Sequence, residues 1–273
     1  MINLNCLICK KNETEIFKPL KISFNNYTLV NCKSCSFVYL NPRLSELEIK
    51  KYYNQNYMPF LKKKSIFNIV YKIFRKINFI YKFFIITKYI PRKSKNLDIG
   101  SGDNFFSNSL LKKGWKSYAY DKYNYDKNNV RKLSILKRNS FDSITLWHSI
   151  EHMYDIEQTF TSINKILSSN GFLFIACPNI DAKEIDYVGK NWPAFDLPRH
   201  IYHFNYNSMK KFLGNYNLKI INIHNLKIDT FFNILMVKNL NFFQKTKYII
   251  KSLFYQFSNI KKSSTLVYVC QKY

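Results

Sequence analysis

Asp98, Gly100, Ser101, Gly102 and Asp121 are the residues of this chain best suited to hold a small ligand. Leu97 and Ile99 read as a buried strand, Gly100 and Gly102 let the backbone turn tightly against a ligand, and residues 104–113 read as the helix that follows. A second short strand, Tyr118 to Tyr120, ends at Asp121, where a carboxylate can accept both hydroxyls of a ribose. Two nucleoside ligands suit such a turn, a nicotinamide dinucleotide and S-adenosylmethionine. The third glycine of a dinucleotide fingerprint would fall at position 105, which is Phe105, and Asp98 would set a negative charge toward a pyrophosphate. Toward the amino group of a methionine moiety the same charge is favourable, so the sulfonium donor fits better.

Cys6-Leu-Ile-Cys9 and Cys32-Lys-Ser-Cys35 offer a second chemistry. Each pair can present two thiolates at the spacing of a tetrahedral site. Zinc favours four sulfur ligands in a closed structural centre, and a segment this short rarely holds enough core to fold without one. A redox dithiol is the rival for either pair alone. Strands at Tyr27 to Asn31 and Phe37 to Leu40 would complete a small zinc ribbon.

Four of the five histidines fall in two stretches, His148 and His152 around Glu151, and His200 with His203. For an acceptor that must lose a proton, His148 is the first choice as general base and His200 as a positioning group. Glu151 and His203 share the candidate site. Each has a structural alternative, a hydrogen bond in a packed loop, and Glu151 with His152 could also start a helix or bind a metal. Trp192 and Phe195 read as part of a lid.

The elements that must position these groups follow from the pattern. Phe141 to Trp147 is a strand whose end, with Trp147, should face the same crevice as the glycine turn. A helix from Ile156 to Leu167, a turn at Asn170-Gly171, a strand from Phe172 to Ala176, a helix from Ser208 to Tyr216, and strands Leu218 to His224 and Thr265 to Cys270 complete a doubly wound α/β sheet. Residues 123–140 resist such a reading. Cys177 and Cys270 lie in strand-like apolar runs and are expected as packed thiols.

Between Phe60 and Pro91 the chain has no acidic residue, and Ile66, Val70, Ile73, Ile77, Ile80 and Phe84 form one helical stripe with cations opposite. Phe242 to Lys262 is similar, with Tyr248, Ile249, Leu253, Phe257 and Ile260 among lysines. Either helix could lie on an anionic membrane or receive an anionic substrate, or pack on the catalytic domain with a solvated basic back. Lysine and arginine total 43 against 17 acids, a net +26. That charge suits a polyanionic partner, but the lysines are scattered, as an AT-biased genome would leave them, so nucleic acid is the weaker choice. No secretory segment or long apolar run is evident, which points to the cytoplasm, with peripheral attachment at the inner membrane face as an alternative.

The motif residues carry a family resemblance. Leu97-Asp-Ile-Gly-Ser-Gly102, Asp121, Phe141-Asp-Ser-Ile-Thr-Leu-Trp-His-Ser-Ile-Glu-His152 and Gly171-Phe-Leu-Phe-Ile-Ala-Cys-Pro-Asn179 resemble the class I S-adenosylmethionine-dependent methyltransferases. Cys32 to Arg43 is similar to the zinc-ribbon leader fused to one branch, and Asp196 to Phe204 looks like that branch's Pro-x-His segment. The resemblance implies a Rossmann-like, seven-stranded sheet whose final strand is antiparallel, with the donor across the first two strands. The resemblance excepts the two basic amphipathic stretches, and the chain is expected to divide into a zinc ribbon (1–45), a basic helical bridge (46–92) and a methyltransferase domain (93–273). The methyl acceptor the resemblance implies is a small molecule, a sugar or a lipid-linked glycan, in surface polysaccharide or secondary metabolite synthesis. An RNA methyltransferase gripping phosphates with the ribbon, and a non-catalytic membrane-associated scaffold, are the alternatives. The chain departs from the family at Asn104, in place of the third glycine, at Lys10 and Ser36, which follow the cysteine pairs, and between Val130 and Ser140, where no adenine-binding acid stands.

Overall fold

The computed structural model describes residues 3–17, 21–53, 66–124, 126–127 and 129–273, with the backbone alone for 66–71. Along the chain run β1 (Thr14–Ile16), β2 (Ser23–Phe24), β3 (Tyr27–Cys32), β4 (Val38–Asn41), α1 (Ile66–Thr87), β5 (Lys95–Ile99), α2 (Phe105–Leu111), β6 (Lys116–Tyr120) and β7 (Phe141–Trp147). Then follow α3 (Ile156–Ile166), β8 (Leu167–Pro178), α4 (Ile185–Val188), β9 (Tyr202–His203), α5 (Tyr206–Gly214), β10 (Leu218–Asn225), α6 (Lys227–Met236), α7 (Phe242–Ser258) and β11 (Thr265–Lys272). They divide into two compact units, one of Met1–Asn78, Asn179–Ser208 and Lys227–Ser264, the other of Phe79–Pro178, Met209–Leu226 and Thr265–Tyr273.

The second unit is built on one sheet in the order β10-β11-β8-β7-β5-β6. Strands β5, β6, β7 and β8 are parallel, and β11 runs antiparallel between β8 and β10, as the family resemblance implies for the final strand. The chain passes from β5 to β6 on one side and then to β7 on the other, so β5 is the switch point where such sheets open a crevice at their carboxyl edge.

Among the described residues the sheet has six strands, where the resemblance implies seven. Beyond β6 a further strand with its own crossover helix would have to come from residues 121–140, but the described part of that segment forms only a 3-10 turn at Leu133–Ile135. Its apolar residues are Val130, Leu133, Ile135 and Leu136, too few to cover both a strand and a helix, and Ile135 lies exposed. The Asn170-Gly171 turn is also absorbed into β8, as an irregularity in its pairing with β7.

One face of the sheet is covered by aromatic packing. Phe79, Ile85, Ile86 and Ile90 pack with Phe106, Leu110 and Trp115 of the glycine-turn unit and with Phe174, Val267 and Val269 of the strands. Each such side chain removed from water contributes about 1.5–3 kcal/mol before the entropy of ordering is subtracted. Of the stripe named in the sequence, the side chains of Ile66 and Val70 lie outside the described residues, and the rest does not make this contact. Ile73, Ile77, Ile80 and Phe84 are exposed, while Phe79, Ile85 and Ile86 on another face are buried. Helix α1 is apolar on two sides, and the side with the better-packed aromatic rings is the one buried.

In the first unit β1, β3 and β4 form an antiparallel sheet, with β2 paired to β3. A strand from far along the sequence extends it, since Val38 pairs with His203 and Tyr39 with Tyr202. Phe37 packs 5.0 Å from Phe204, and Arg43 donates to the Tyr202 hydroxyl at 2.9 Å. Trp192 and Phe195, expected in a lid, are buried edge to face at 5.1 Å, and the Trp192 indole donates to Glu184 Oε2 at 2.9 Å. The Ser264 hydroxyl donates to the same oxygen at 2.8 Å, and burial raises the Glu184 pKa to about 7.

Candidate functional site

The turn after β5 is shaped by residues with left-handed backbone. Gly100, Gly102 and Asn104 have φ of 73°, 56° and 63°, so Asn104 adopts the conformation that the family's third glycine supplies. Gly100 and Ser101 donate backbone N–H to Tyr120 O at 2.8 and 3.2 Å, which fastens the turn to the end of β6. The Ser101 hydroxyl donates to Asn104 Oδ1, and the Asn104 amide donates to Asn129 Oδ1 at 2.7 Å. Asp121 Oδ2 accepts from Gly102 N–H at 2.9 Å, and Oδ1 accepts from the N–H groups of Tyr123 and Asn124. The carboxylate thus stands at the end of β6 beside the glycines, with lone pairs left for further donors.

Gly100 is held against the loop after β7. A Cβ at this position would lie 2.4 Å from Ser149 Cβ, and the Ser149 hydroxyl donates to Ile99 O at 3.1 Å. Gly100→Ala is therefore expected to lower stability by about 2–3 kcal/mol, from overpacking and from a conformation that L side chains avoid. Denaturant unfolding measures this, and an unchanged midpoint would contradict the close approach.

Asp98 is buried one residue before the strand end. In the parallel register it stands opposite Thr145, whose hydroxyl donates to Asp98 Oδ1 at 2.8 Å. Burial raises its pKa to about 7, the Thr145 hydrogen bond and the Lys82 ammonium pull it down, and Asp121 pushes it up. A carboxyl so poised ionises fully when a cation arrives. Thr145, Ser149, Lys82 and Asn129 join the candidate site through contacts between distant segments, which no local pattern announces.

Trp147 closes β7, packing 5.1 Å from Phe106 with the Lys82 ammonium 4.7 Å above its ring. Its indole nitrogen is buried with no hydrogen-bond acceptor among the described residues. His148 follows at φ 53°, a strained conformation for a residue with a side chain, held by its N–H donating to Ala176 O at 2.9 Å. Its Nδ1 lies 3.5 Å from Glu151 Oε1, an electrostatic contact longer than a good hydrogen bond, and Glu151 is itself buried.

His200 and His203 belong to the first unit, with ring centroids 6.2 Å apart. His200 Nδ1 is 2.8 Å from Ala194 O, which makes it the protonated nitrogen, and Nε2 is 3.6 Å from Asp196 Oδ2. The structure therefore brings His148 to Glu151 and His200 to His203 as two pairs.

Cys6, Cys9, Cys32 and Cys35 converge in the first unit. Their sulfurs all lie within 4.8 Å of one another, with Cys6 to Cys35 and Cys9 to Cys32 each at 3.4 Å, and none is in a disulfide. A Zn–S bond of about 2.3 Å implies tetrahedron edges of about 3.8 Å, so the four thiols fit one ion. The pairs are built alike. Lys10 N–H donates to Cys6 O and Ser36 N–H to Cys32 O, with Lys10 and Ser36 in the left-handed region at φ 65° and 61°. Side chains thus occupy two left-handed positions that glycine would adopt without strain, at a modest conformational cost.

A cavity of about 550 Å³ opens at the other edge of the large sheet, lined by Ser134, Arg138, Asn139, Lys165, Asn217 and Lys272. It lies at the amino ends of the parallel strands, away from the glycine turn. Ligands of open α/β sheets bind at the carboxyl edge, which makes the turn and not this recess the candidate site.

A parallel sheet with a glycine turn at its switch point and an acid ending the next strand defines a nucleoside-binding α/β protein. The family model for the methyltransferase domain matches residues 68–223, more than half the chain, and the chain belongs to that family. It is an S-adenosylmethionine-dependent methyltransferase. No curated protein matches it in sequence. Among solved structures it is similar to a Burkholderia thailandensis 1,6-didemethyltoxoflavin-N1-methyltransferase with bound 1,6-didemethyltoxoflavin and S-adenosylhomocysteine, at 12% identity over 95% of this chain and 99% of that one, TM-score 0.52. A SAM-dependent methyltransferase from Archaeoglobus fulgidus matches at 16% identity over 76% and 100% of the two chains, TM-score 0.48. At such identity the first of these likenesses is one of fold.

Proposed function

We propose that the chain transfers the methyl group of S-adenosylmethionine to a small-molecule acceptor, a sugar or lipid-linked glycan, and that residues 93–273 carry the chemistry. The observation that carries this reading is the buried Asp98 beside the glycine turn, a carboxyl placed to meet the ammonium of a methionine moiety. Asp121 would accept the ribose hydroxyls, the backbone of Gly100, Ser101 and Gly102 would line the donor, and Trp147 would add a ring and an unspent N–H. Between Val130 and Ser140 no acid is available for the adenine amino group, so apolar packing holds the base.

The bound donor supplies an already activated methyl group on a sulfonium. The protein's work is to orient the acceptor in line and exclude water. Where the acceptor must lose a proton, His148 is the base, its ring steadied by the Glu151 carboxylate. His148→Ala is then expected to slow turnover about 10²–10⁴-fold with donor affinity unchanged, and undiminished turnover would remove it from that role. His200 and His203 are assigned to holding the acceptor. The four cysteines are assigned a structural zinc that organises residues 1–45, and residues 46–92 a bridge to the catalytic portion.

Incubation with methyl-labelled donor and a cell extract tests the class of acceptor. Label is expected in the low-mass or lipid-linked glycan fraction. Label in RNA would replace this reading with the nucleic-acid one, and no transfer into any fraction would favour a scaffold.

A further inference from the structure

Helix α7 is apolar on two sides, and Tyr248, Ile249 and Leu253 are half-buried on the inward one. Its buried residues are the polar Ser252 and Gln256, and Gln256 donates to Thr230 Oγ1 of α6 at 2.7 Å. Its solvent side carries Phe242, Phe243, Ile250, Phe254 and Phe257, with Phe243 82% and Phe254 77% exposed. At 3.6 residues per turn these five and Thr246 fall within an arc of about 120°. Helix α6 adds exposed Leu235 and Met236. Scattered exposed apolar residues need no explanation, but a continuous exposed stripe along a 17-residue helix does.

Charge selects the occupant. Lys238, Lys245, Lys247, Lys251, Lys261 and Lys262 lie within or beside the helix in sequence, and after Asp229 the chain has no Asp or Glu. Lys227 places its ammonium 4.0 Å from the centre of the Phe257 ring, at the margin of the stripe. A second copy of this chain would bring the same lysines against these and is repelled. No helix among the described residues is long and apolar enough to cross a bilayer, so the surface has the character of a helix lying in an interface, phenylalanines in the acyl boundary and lysines among headgroups.

We propose that α7, with the end of α6, docks the enzyme on an anionic lipid bilayer. This inference is independent of the methyl acceptor. It supplies the place where a lipid-linked substrate would be met.

The test is sedimentation of the full chain with vesicles of equal parts phosphatidylglycerol and phosphatidylcholine, against phosphatidylcholine alone. Binding is expected to the anionic vesicles only and to weaken as salt is raised. The double replacement Phe243→Glu and Phe254→Glu, at solvent-facing positions, is expected to lower the partition by about tenfold or more. Its far-ultraviolet circular dichroism and donor binding should match those of the parent, so that a folding defect or a failure of the methyltransferase reading is told apart. Absence of sedimentation with anionic vesicles, equal partition on neutral ones, or unaltered partition of the double variant would each overturn the proposal. A parent dimer in sedimentation velocity that the two glutamates dissolve would assign the stripe to a second copy instead.

Discussion

Asp98→Ala is expected to weaken S-adenosylmethionine binding by about 10- to 100-fold, the worth of a charge-assisted hydrogen bond of about 1.5–3 kcal/mol. Titration calorimetry reads it directly. The same carboxyl sets a pH dependence with a definite sign. Its pKa in the free protein is raised to about 7 by burial, and a cationic ligand favours its ionised form. Binding therefore releases a proton near neutrality. Affinity is greatest above pH 7 and falls as the pH drops below it, by up to about tenfold per unit. Asp98→Asn should bind weakly with a flat profile, and a variant that kept the parent's slope would assign the dependence to another group.

Removal of the zinc proposed for the four cysteines is expected to be the other large effect. Structural zinc sites of this type contribute about 10–16 kcal/mol of apparent binding free energy in isolated peptides, far more than a three-stranded sheet with two-residue accessories can supply alone. One zinc per chain is expected by elemental analysis, with Cys32→Ser abolishing it. Chelation should expose the amides of β3 and β4 to hydrogen exchange. The consequence reaches further along the sequence, because β9 pairs with β4. Tyr202 and His203 should lose protection in step with Leu29 and Tyr39, and protection retained there after metal loss would contradict the pairing.

Much of the second unit was legible because its strands are apolar runs ended by glycine or proline. Leu97 and Ile99 before Gly100, and Phe172 to Ala176 before Pro178, lie in strands of the sheet. The left-handed demand at Asn104, Lys10 and Ser36 could be inferred from their places in two motifs. What depends on register could not. Asp98 meets Thr145 across 47 positions, and nothing local to either residue announces the pair. Strand β9 has two residues, too short to carry an alternation, and it exists only because β4 offers an edge. Helices α1 and α7 were amphipathic by pattern, but a pattern with two apolar sides does not say which is buried. In α1 the aromatic side won. In α7 the side with Tyr248, Ile249 and Leu253, beside Ser252 and Gln256, faces inward and the phenylalanines face solvent.

The claim on which the chemistry rests is a donor held at the carboxyl edge of β5 and β6. A crystal structure of the protein with S-adenosylhomocysteine tests it most directly. The ribose hydroxyls are expected on Asp121 and the amino group within reach of Asp98, over the backbone of Gly100 to Gly102. An empty edge, or a ligand seated in the basic recess near Arg138 and Lys272, would contradict it.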